Sequence, residues 1–445
     1  MTIAERELHT TVESAGPVGP ACGTILGTEL SYWRDAMRDE LQIPTGIVVG
    51  TGHQVEWWHP GIAAKFMWAN AIATRTSAAT LWLIIDTDVR DPRELRVPVS
   101  ANGTIESVLH RFGPRALPGT PPCLRSACDP VSWIDTRGVP TPPCAEAGMR
   151  AAYNALRAHS NAADCTTQVV SALRDCTPQL GAPGCMVRSS QLMRTALGMA
   201  IVDRAARDPE ACARAFNAAV ALVPRVARPL AEGGPLGAEL PFWTRGKAGD
   251  RCRVHAHELP ARRADTAPLW PRAFLTSAIA RAALSDRFVH GTGGKIYERA
   301  TDAFSQSWLD ARLPAFDIAS ATLRLPFSAD ELPAPVTAAA RRTRWFDPDA
   351  TGSALSPRKS AALAAIAHEP RRSAARRAAW QLMHAELTRA RSAHAADFQE
   401  LEARSAADRV RARAAELRAD RTWASVLHPL ESLTRLADSL QRQSR

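Results

Sequence analysis

The chain has 445 residues, 46% of them hydrophobic and 22% charged, which suits two or three domains with real cores and excludes a disordered or collagen-like chain. The formal net charge is +10, but acidic residues interleave with the arginines of the basic C-terminal third, so a solvated helical face is expected there rather than nucleic-acid binding. There is no run of about 18 apolar residues. The first residues, MTIAERELHTTVES, lack a signal-peptide stretch, so no membrane partner and a cytoplasmic location are expected.

In chain order, residues 29–40 (ELSYWRDAMRDE) read as a short amphipathic helix and residues 46–50 (GIVVG) as a buried strand. A glycine-rich turn follows, and His59-Pro60-Gly61 opens a helix to about Thr76, with Pro60 in a favourable first-turn position. Thr80 to Asp86 (TLWLIID) is continuously apolar and reads as a second buried strand. Strand, helix and strand with short links form one βαβ unit, which predicts a parallel sheet with a right-handed crossover.

Residues 114–143 are rich in proline and without clean periodicity, and residues 145–232 read as several helices. Together they predict a Pro-rich connection and helical insertion over 105–235. The sheet pattern resumes near Pro241-Phe242-Trp243 and over Arg251 to His257. A helix is expected from about Arg272 to Ala283, a strand over Arg287 to His290, a helix from about Ile296 to Leu309, and a last strand over Ser320 to Pro326. The core is thus expected from residues 1–104 and 236–330. A helical and coiled-coil region is expected over 331–445. From Arg371 to His428 there is neither proline nor glycine, and Met383, Leu387, Ala390, His394, Phe398 and Leu401 recur every three or four residues as a narrow seam. Such a seam needs a return helix or a second subunit.

Nine cysteines with no Cys-x-x-Cys pair fit free thiols in a reducing compartment. Cys252, His255, His257 and Glu258 read as one face of an exposed hairpin strand rather than a zinc set. Of 55 basic residues only four are lysine: Lys65, Lys247, Lys295 and Lys359. Two of them follow glycine turns that open helices. Lys65 lies four residues past Gly61, and Lys295 closes Gly291-Thr292-Gly293-Gly294. Helix N-termini bind anions, glycine lets a phosphate approach the backbone, and lysine adds a compact cation. The second loop lacks the first glycine and the hydroxyl of a P-loop.

His53, Gln54 and His59 join the first loop, and His290 ends a predicted strand. Histidines at the carboxyl ends of strands suit acid–base work in the crevice where open α/β sheets bind ligands. Asp86 and Asp88 could hold Mg²⁺ or serve as turn caps. Trp57 and Trp58 read as core rather than as a stacking platform.

Thr51-Gly52-His53-Gln54, His59-Pro60-Gly61 and Lys65 resemble the TGQQ…GP…K segment of the bacillithiol biosynthesis cysteine-adding enzymes. The stretch from Pro271-Arg-Ala-Phe-Leu through Phe288-Val-His-Gly-Thr-Gly-Gly to Tyr297 resembles a later strand-turn-helix segment of that family. This chain departs from it at His53, at Pro60-Gly61 and around Asp86, and residues 105–235 align with nothing in it. The resemblance implies an α/β fold with a Rossmann-like, nucleotidylyltransferase-like parallel sheet, a helical insertion and a C-terminal coiled coil that makes a homodimer. It also implies a ligation of cysteine to a sugar-derived acceptor.

The expectation is a ligase- or transferase-like enzyme holding an anionic or nucleotide-like small molecule between two glycine-rich loops. Its catalytic candidates are His53, His59 and His290. Its ligand-binding candidates are Thr51, Gly52, Gln54, Gly61, Lys65, Gly291, Gly293, Gly294, Lys295 and Tyr297, with Asp86 and Asp88 for metal. The cofactor is left open, a nucleotide with Mg²⁺ being the candidate. The alternative is a noncatalytic scaffold, a retired Rossmann core with a coiled-coil interaction arm.

Overall fold

The computed structural model describes residues 8–18, 22–101, 104–132, 138–264, 267–327, 345–348 and 356–444. The chain forms two compact units: Met1–Ser100, Ser107–Pro326 and Asp420–Arg445 make one, and Ala101–Glu106 and Phe327–Ala419 the other.

The first half of the chain supplies β1 (His9–Glu13), the small hairpin β2 (Thr24–Ile25) and β3 (Thr28–Glu29), α1 (Leu30–Glu40), β4 (Val48–Gln54), α2 (Pro60–Thr76) and β5 (Ala79–Ile85). Next come β6 (Glu94–Ala101), β7 (Thr104–Arg111), β8 (Val139–Pro140), α3 (Pro143–Ala158), α4 (Cys165–Cys176), β9 (Cys185–Arg188), α5 (Ala196–Arg207) and α6 (Pro209–Leu222). The rest of the first unit holds β10 (Glu239–Arg245), β11 (Arg251–His255), α7 (Leu259–Ala264), β12 (Leu269–Pro271), α8 (Ala273–Ile279), β13 (Arg287–His290), α9 (Gly294–Trp308) and β14 (Phe316–Thr322), and it closes with the C-terminal helix Leu430–Gln443.

The fold is mixed α/β. Six strands form one sheet in the order β1-β14-β13-β4-β5-β9. β14, β13, β4, β5 and β9 run parallel, and β1 closes the edge antiparallel to β14. Both faces are covered, as a parallel sheet requires. On β5, Leu81 and Leu83 face one core that includes Ala300 and Phe304 of α9. Trp82 points the other way, edge-on to Phe66 of α2 at 4.9 Å. Trp58 stacks on Phe66 at 4.0 Å and Trp57 lies 6.0 Å from Phe112, so the tryptophan pair serves the interior. Asp286 ties α1 to the sheet, accepting from Arg34, from Arg38 Nη2 at 2.9 Å and from the Val48 N–H at 2.8 Å.

Several boundaries differ from the sequence reading. The first strand does not stop at Gly50 but runs through Gln54, because Gly50 and Gly52 let neighbouring chains approach. A Cβ on Gly52 would sit 2.5 Å from the Leu83 carbonyl oxygen. The segment read as an insertion contributes β9 to the sheet, a four-residue strand too short to show a period. The last strand begins at Phe316, four residues before Ser320. The helix expected over 272–283 changes to π-helix at Ala280–Leu284.

The region 331–445 also divides differently, because residues 420–445 belong to the first unit. There Ser425 N–H donates to the Trp58 carbonyl at 2.7 Å. In the second unit the helices are α10 (Pro357–His368), α11 (Ala374–Ala393) and α12 (Ala395–Ala419). His394 ends α11 as its cap, which breaks the long helix read through it. Met383 and Leu387 of α11 pack on Ile366 of α10, so this part of the seam is covered by a helix of the same chain. The side chains of Phe398 and Leu401 lie outside the described residues. No helix among the described residues is long and apolar enough to cross a membrane. None of the nine cysteines forms a disulfide among the described residues.

Candidate functional site

β4 and β13 are neighbours, yet the chain leaves them in opposite directions, β4 through α2 to β5 and β13 through α9 to β14. This is the switch point of the sheet, and a crevice opens beyond the carboxyl ends of such strands. A cavity of about 690 Å³ lies there, lined by both glycine segments together with residues from β10, β11 and α8. Of the expected site residues, Gly52, His53, Gln54, His59, Gly61, Lys65, Asp88, His290, Gly291, Gly293, Gly294 and Tyr297 line it.

His59 caps α2, its Nδ1 accepting from the Gly61 N–H at 3.1 Å, which places the proton of the neutral ring on Nε2. One turn on, Lys65 is only 6% exposed, and its Nζ donates to the Gly52 carbonyl at 2.7 Å. The partner is a dipole rather than a carboxylate. Burial therefore lowers the Lys65 pKa to about 7, with Glu56 opposing. A Cβ on Gly291 would meet Lys65 Cδ at 3.6 Å, so the second glycine turn lies directly beside this lysine. On Gly294 a Cβ would come within 2.5 Å of His290 Cβ, and glycine is required there for α9 to start beside the strand.

All three histidines are held neutral. Burial pushes His59 down to about 4, helped by the charges of Arg421 and Lys65. His53 and His290 also lie well below the usual histidine range, from burial first and the Lys65 charge second. His53 Nδ1 is 3.3 Å from Glu56 Oε1. His290 Nε2 is 3.4 Å from Oε1 of Glu298, a fully buried carboxylate that also accepts from Ser277 Oγ at 2.5 Å and Arg281 Nη1 at 2.6 Å. Glu298 escaped the sequence reading, because one glutamate on an amphipathic helix carries no mark of burial. Lys65, near pKa 7, is the group here matched to proton exchange at neutral pH, and the neutral imidazoles beside it offer hydrogen bonds without adding charge.

Three expected residues do not reach the cavity. Thr51 is buried in the sheet and donates to the Val289 carbonyl at 2.9 Å, joining β4 to β13. Lys295 projects outward from the first turn of α9 and pairs with Glu13 at 2.7 Å. Asp86 is fully buried; it accepts from Ser189 Oγ and the Ser190 N–H, each at 2.9 Å, and from Ser190 Oγ at 2.6 Å. Its oxygens tie the end of β5 to the turn after β9, and they are not aimed at a ligand. Asp88 lines the cavity but accepts from the Val89 N–H at 2.7 Å. Among the described residues no group of three or more His, Cys, Asp or Glu could hold a metal ion. His255 is occupied with Glu258 at 3.2 Å and His257 with the Pro235 carbonyl at 3.2 Å.

The structure adds residues that the sequence did not single out. Trp243, Arg251, Arg253, Arg272 and Arg228 line the cavity. Trp243 pairs with Arg253 and Arg245 with Arg251 across the β10–β11 ladder, so these side chains share one face of the small sheet. The guanidiniums of Arg251 and Arg272 lie over the Trp243 ring at 4.4 and 4.0 Å. Including Lys65 and Arg421, six basic side chains line the cavity, and Asp88 is the one carboxylate lining it among the described residues. A second cavity of about 640 Å³ shares His53, His59 and Ile62 with the first.

The sequence matches no protein-family model and no curated protein.

Proposed function

We propose that the chain is an enzyme of the ligase or transferase type that binds an anionic, nucleotide-like or sugar-derived small molecule in the cavity at the switch point of a Rossmann-like sheet. The observation that carries this reading is the lining: six basic side chains and, among the described residues, one carboxylate around a cavity into which two glycine turns open. Lys65, His53, His59 and His290 would move the protons of the reaction. The second cavity, which meets the same two histidines, offers room for a second substrate and favours group transfer between two bound molecules. The resemblance of residues 51–65 and 271–297 to the bacillithiol cysteine-adding enzymes suggests conjugation of a thiol or amino acid as the reaction type. A cytoplasmic location belongs to the same proposal.

The test is a thermal-shift screen of the full chain against nucleotides, sugar phosphates and thiol conjugates. A ligand at about 100 times its dissociation constant adds about 2.7 kcal/mol of stability. At least one hit is expected, and Lys65→Ala is expected to abolish its conversion without unfolding the protein. Silence across the three classes would overturn the reading in favour of the scaffold. In the second unit, Trp345, Leu363, Trp380 and Leu382 are exposed, which supports a role of its helices in a homodimer through a coiled coil; light scattering that gives a monomer at high concentration would remove that part.

A further inference from the structure

Within the cavity most of the uncompensated charge is not at the glycine turns, where Lys65, its pKa lowered to about 7, is the one basic side chain beside Gly291 among the described residues. At that end the three imidazoles are neutral and Lys295 is absent, paired outside with Glu13. At the other end, Arg251 and Arg272 lie over the Trp243 ring, Arg253 is its cross-strand partner, and Arg228 lines the same cavity near Arg272. Two carboxylates face these four guanidiniums. Glu239, 2% exposed, accepts from Arg272 Nη2 at 2.5 Å and lies 3.5 Å from Arg253, and Asp88 lies 3.7 Å from Arg251. Two positive charges remain.

The donors are also unspent. Arg272 uses Nη2 on Glu239 and Nε on the Phe242 carbonyl, and Arg251 uses Nη1 on the Thr87 carbonyl at 2.7 Å. Among the described residues nothing accepts from Arg272 Nη1, from Arg251 Nε and Nη2, or from any nitrogen of Arg228. Backbone carbonyls and the tryptophan ring hold the Arg251 and Arg272 planes in place before any ligand arrives. A pre-oriented guanidinium fork matches the paired oxygens of a phosphate or of carboxylates.

We propose that the arginine end is an anion-recognition subsite for a dianionic group, a phosphate ester or a pair of carboxylates, and that it holds the substrate's tail while an uncharged reacting head lies against Lys65 and the histidines. This rests on the functional reading above and deepens it by assigning the two ends of one molecule. The anion is then bound by side chains of β11 and of the turns beside α6 and α8, not between the glycine loops.

The experiment is calorimetric titration of the full chain near pH 8 with two small dianions that lack a head, inorganic phosphate and succinate, which separate phosphate from carboxylate recognition. Binding of at least one is expected. The double variant Arg228→Ala/Arg253→Ala is expected to weaken it about 10-fold or more, and Arg251→Gln by a comparable factor. Lys65→Met is expected to change it less than about 3-fold. Arg413→Ala, in the second unit, controls for net charge. Loss of binding in Lys65→Met with the arginine variants unchanged would place the anion at the glycine turns and overturn the subsite, leaving the functional reading intact. Equal small losses in every variant, Arg413→Ala included, would overturn the subsite as a nonspecific charge effect. If neither dianion binds the wild type while the ligand screen still gives hits, the subsite falls alone; if the screen is silent as well, both fall.

Discussion

The two ends of the cavity are built from different materials. The glycine end is backbone, imidazole and one buried lysine, positioned by strand ends and helix starts of the large sheet. The arginine end is a face of the small antiparallel sheet, where Trp243, Glu239 and backbone carbonyls together order Arg251 and Arg272. Burial drives the difference. At the glycine end desolvation outweighs every favourable charge, so the histidines stay neutral and Lys65 sits near 7. At the arginine end the guanidinium, which does not deprotonate in proteins, keeps its charge. One end suits proton transfer and the other suits anion recognition.

The largest expected effect is at Lys65. In the unfolded chain this lysine holds its proton up to about pH 10.4, whereas in the fold it releases it near 7. The unfolded state therefore binds more protons between these values, and stability rises with pH across that window. Lys65→Met removes this dependence. Relative to wild type it is expected to be more stable at pH 6 by about 3–5 kcal/mol, a gain that shrinks towards pH 10. Urea midpoints at the two pH values measure it, and a parallel pH dependence of variant and wild type would show that Lys65 is not the cause.

Next come the glycines that shape the same end. Gly52→Ala drives a Cβ against the Leu83 carbonyl, and Gly294→Ala drives one against His290 Cβ. Each is expected to cost about 2–3 kcal/mol in denaturant unfolding. Gly293, where a Cβ meets nothing within 4 Å, is expected to accept alanine within about 0.5 kcal/mol. At the arginine end Trp243→Ala is expected to weaken dianion affinity by about 1 kcal/mol, through loss of the two cation–π contacts and of side-chain order. An unchanged affinity would mean that the tryptophan only fills space.

The large sheet was largely legible in the sequence. Ile47-Val48-Val49 and TLWLIID are continuous apolar runs, and His59-Pro60 starts α2 where the residue types say it must. The glycine end was legible for the same reason, since glycine, lysine and histidine at strand ends announce themselves locally. The arginine end was not. Arg251 and Arg253 alternate and so share a strand face, but no local signal tells whether that face meets solvent or a cavity. The long-range docking of β11 on the end of β5, through Arg251 and the Thr87 carbonyl, decides it. Lys295 misled for the complementary reason: its neighbours gave the right turn, but its position on the helix turns the side chain outward. Asp86 resembled a ligand only because its partners, Ser189 and Ser190, lie more than a hundred residues away.

A selenate soak of crystals of the full chain tests the polarity of the cavity most directly, because the anomalous signal locates the dianion. A peak is expected within hydrogen-bond distance of the Arg251 and Arg272 guanidiniums, with the Gly291–Gly294 turn empty. A peak at that turn and beside Lys65, with the arginine end empty, would contradict it.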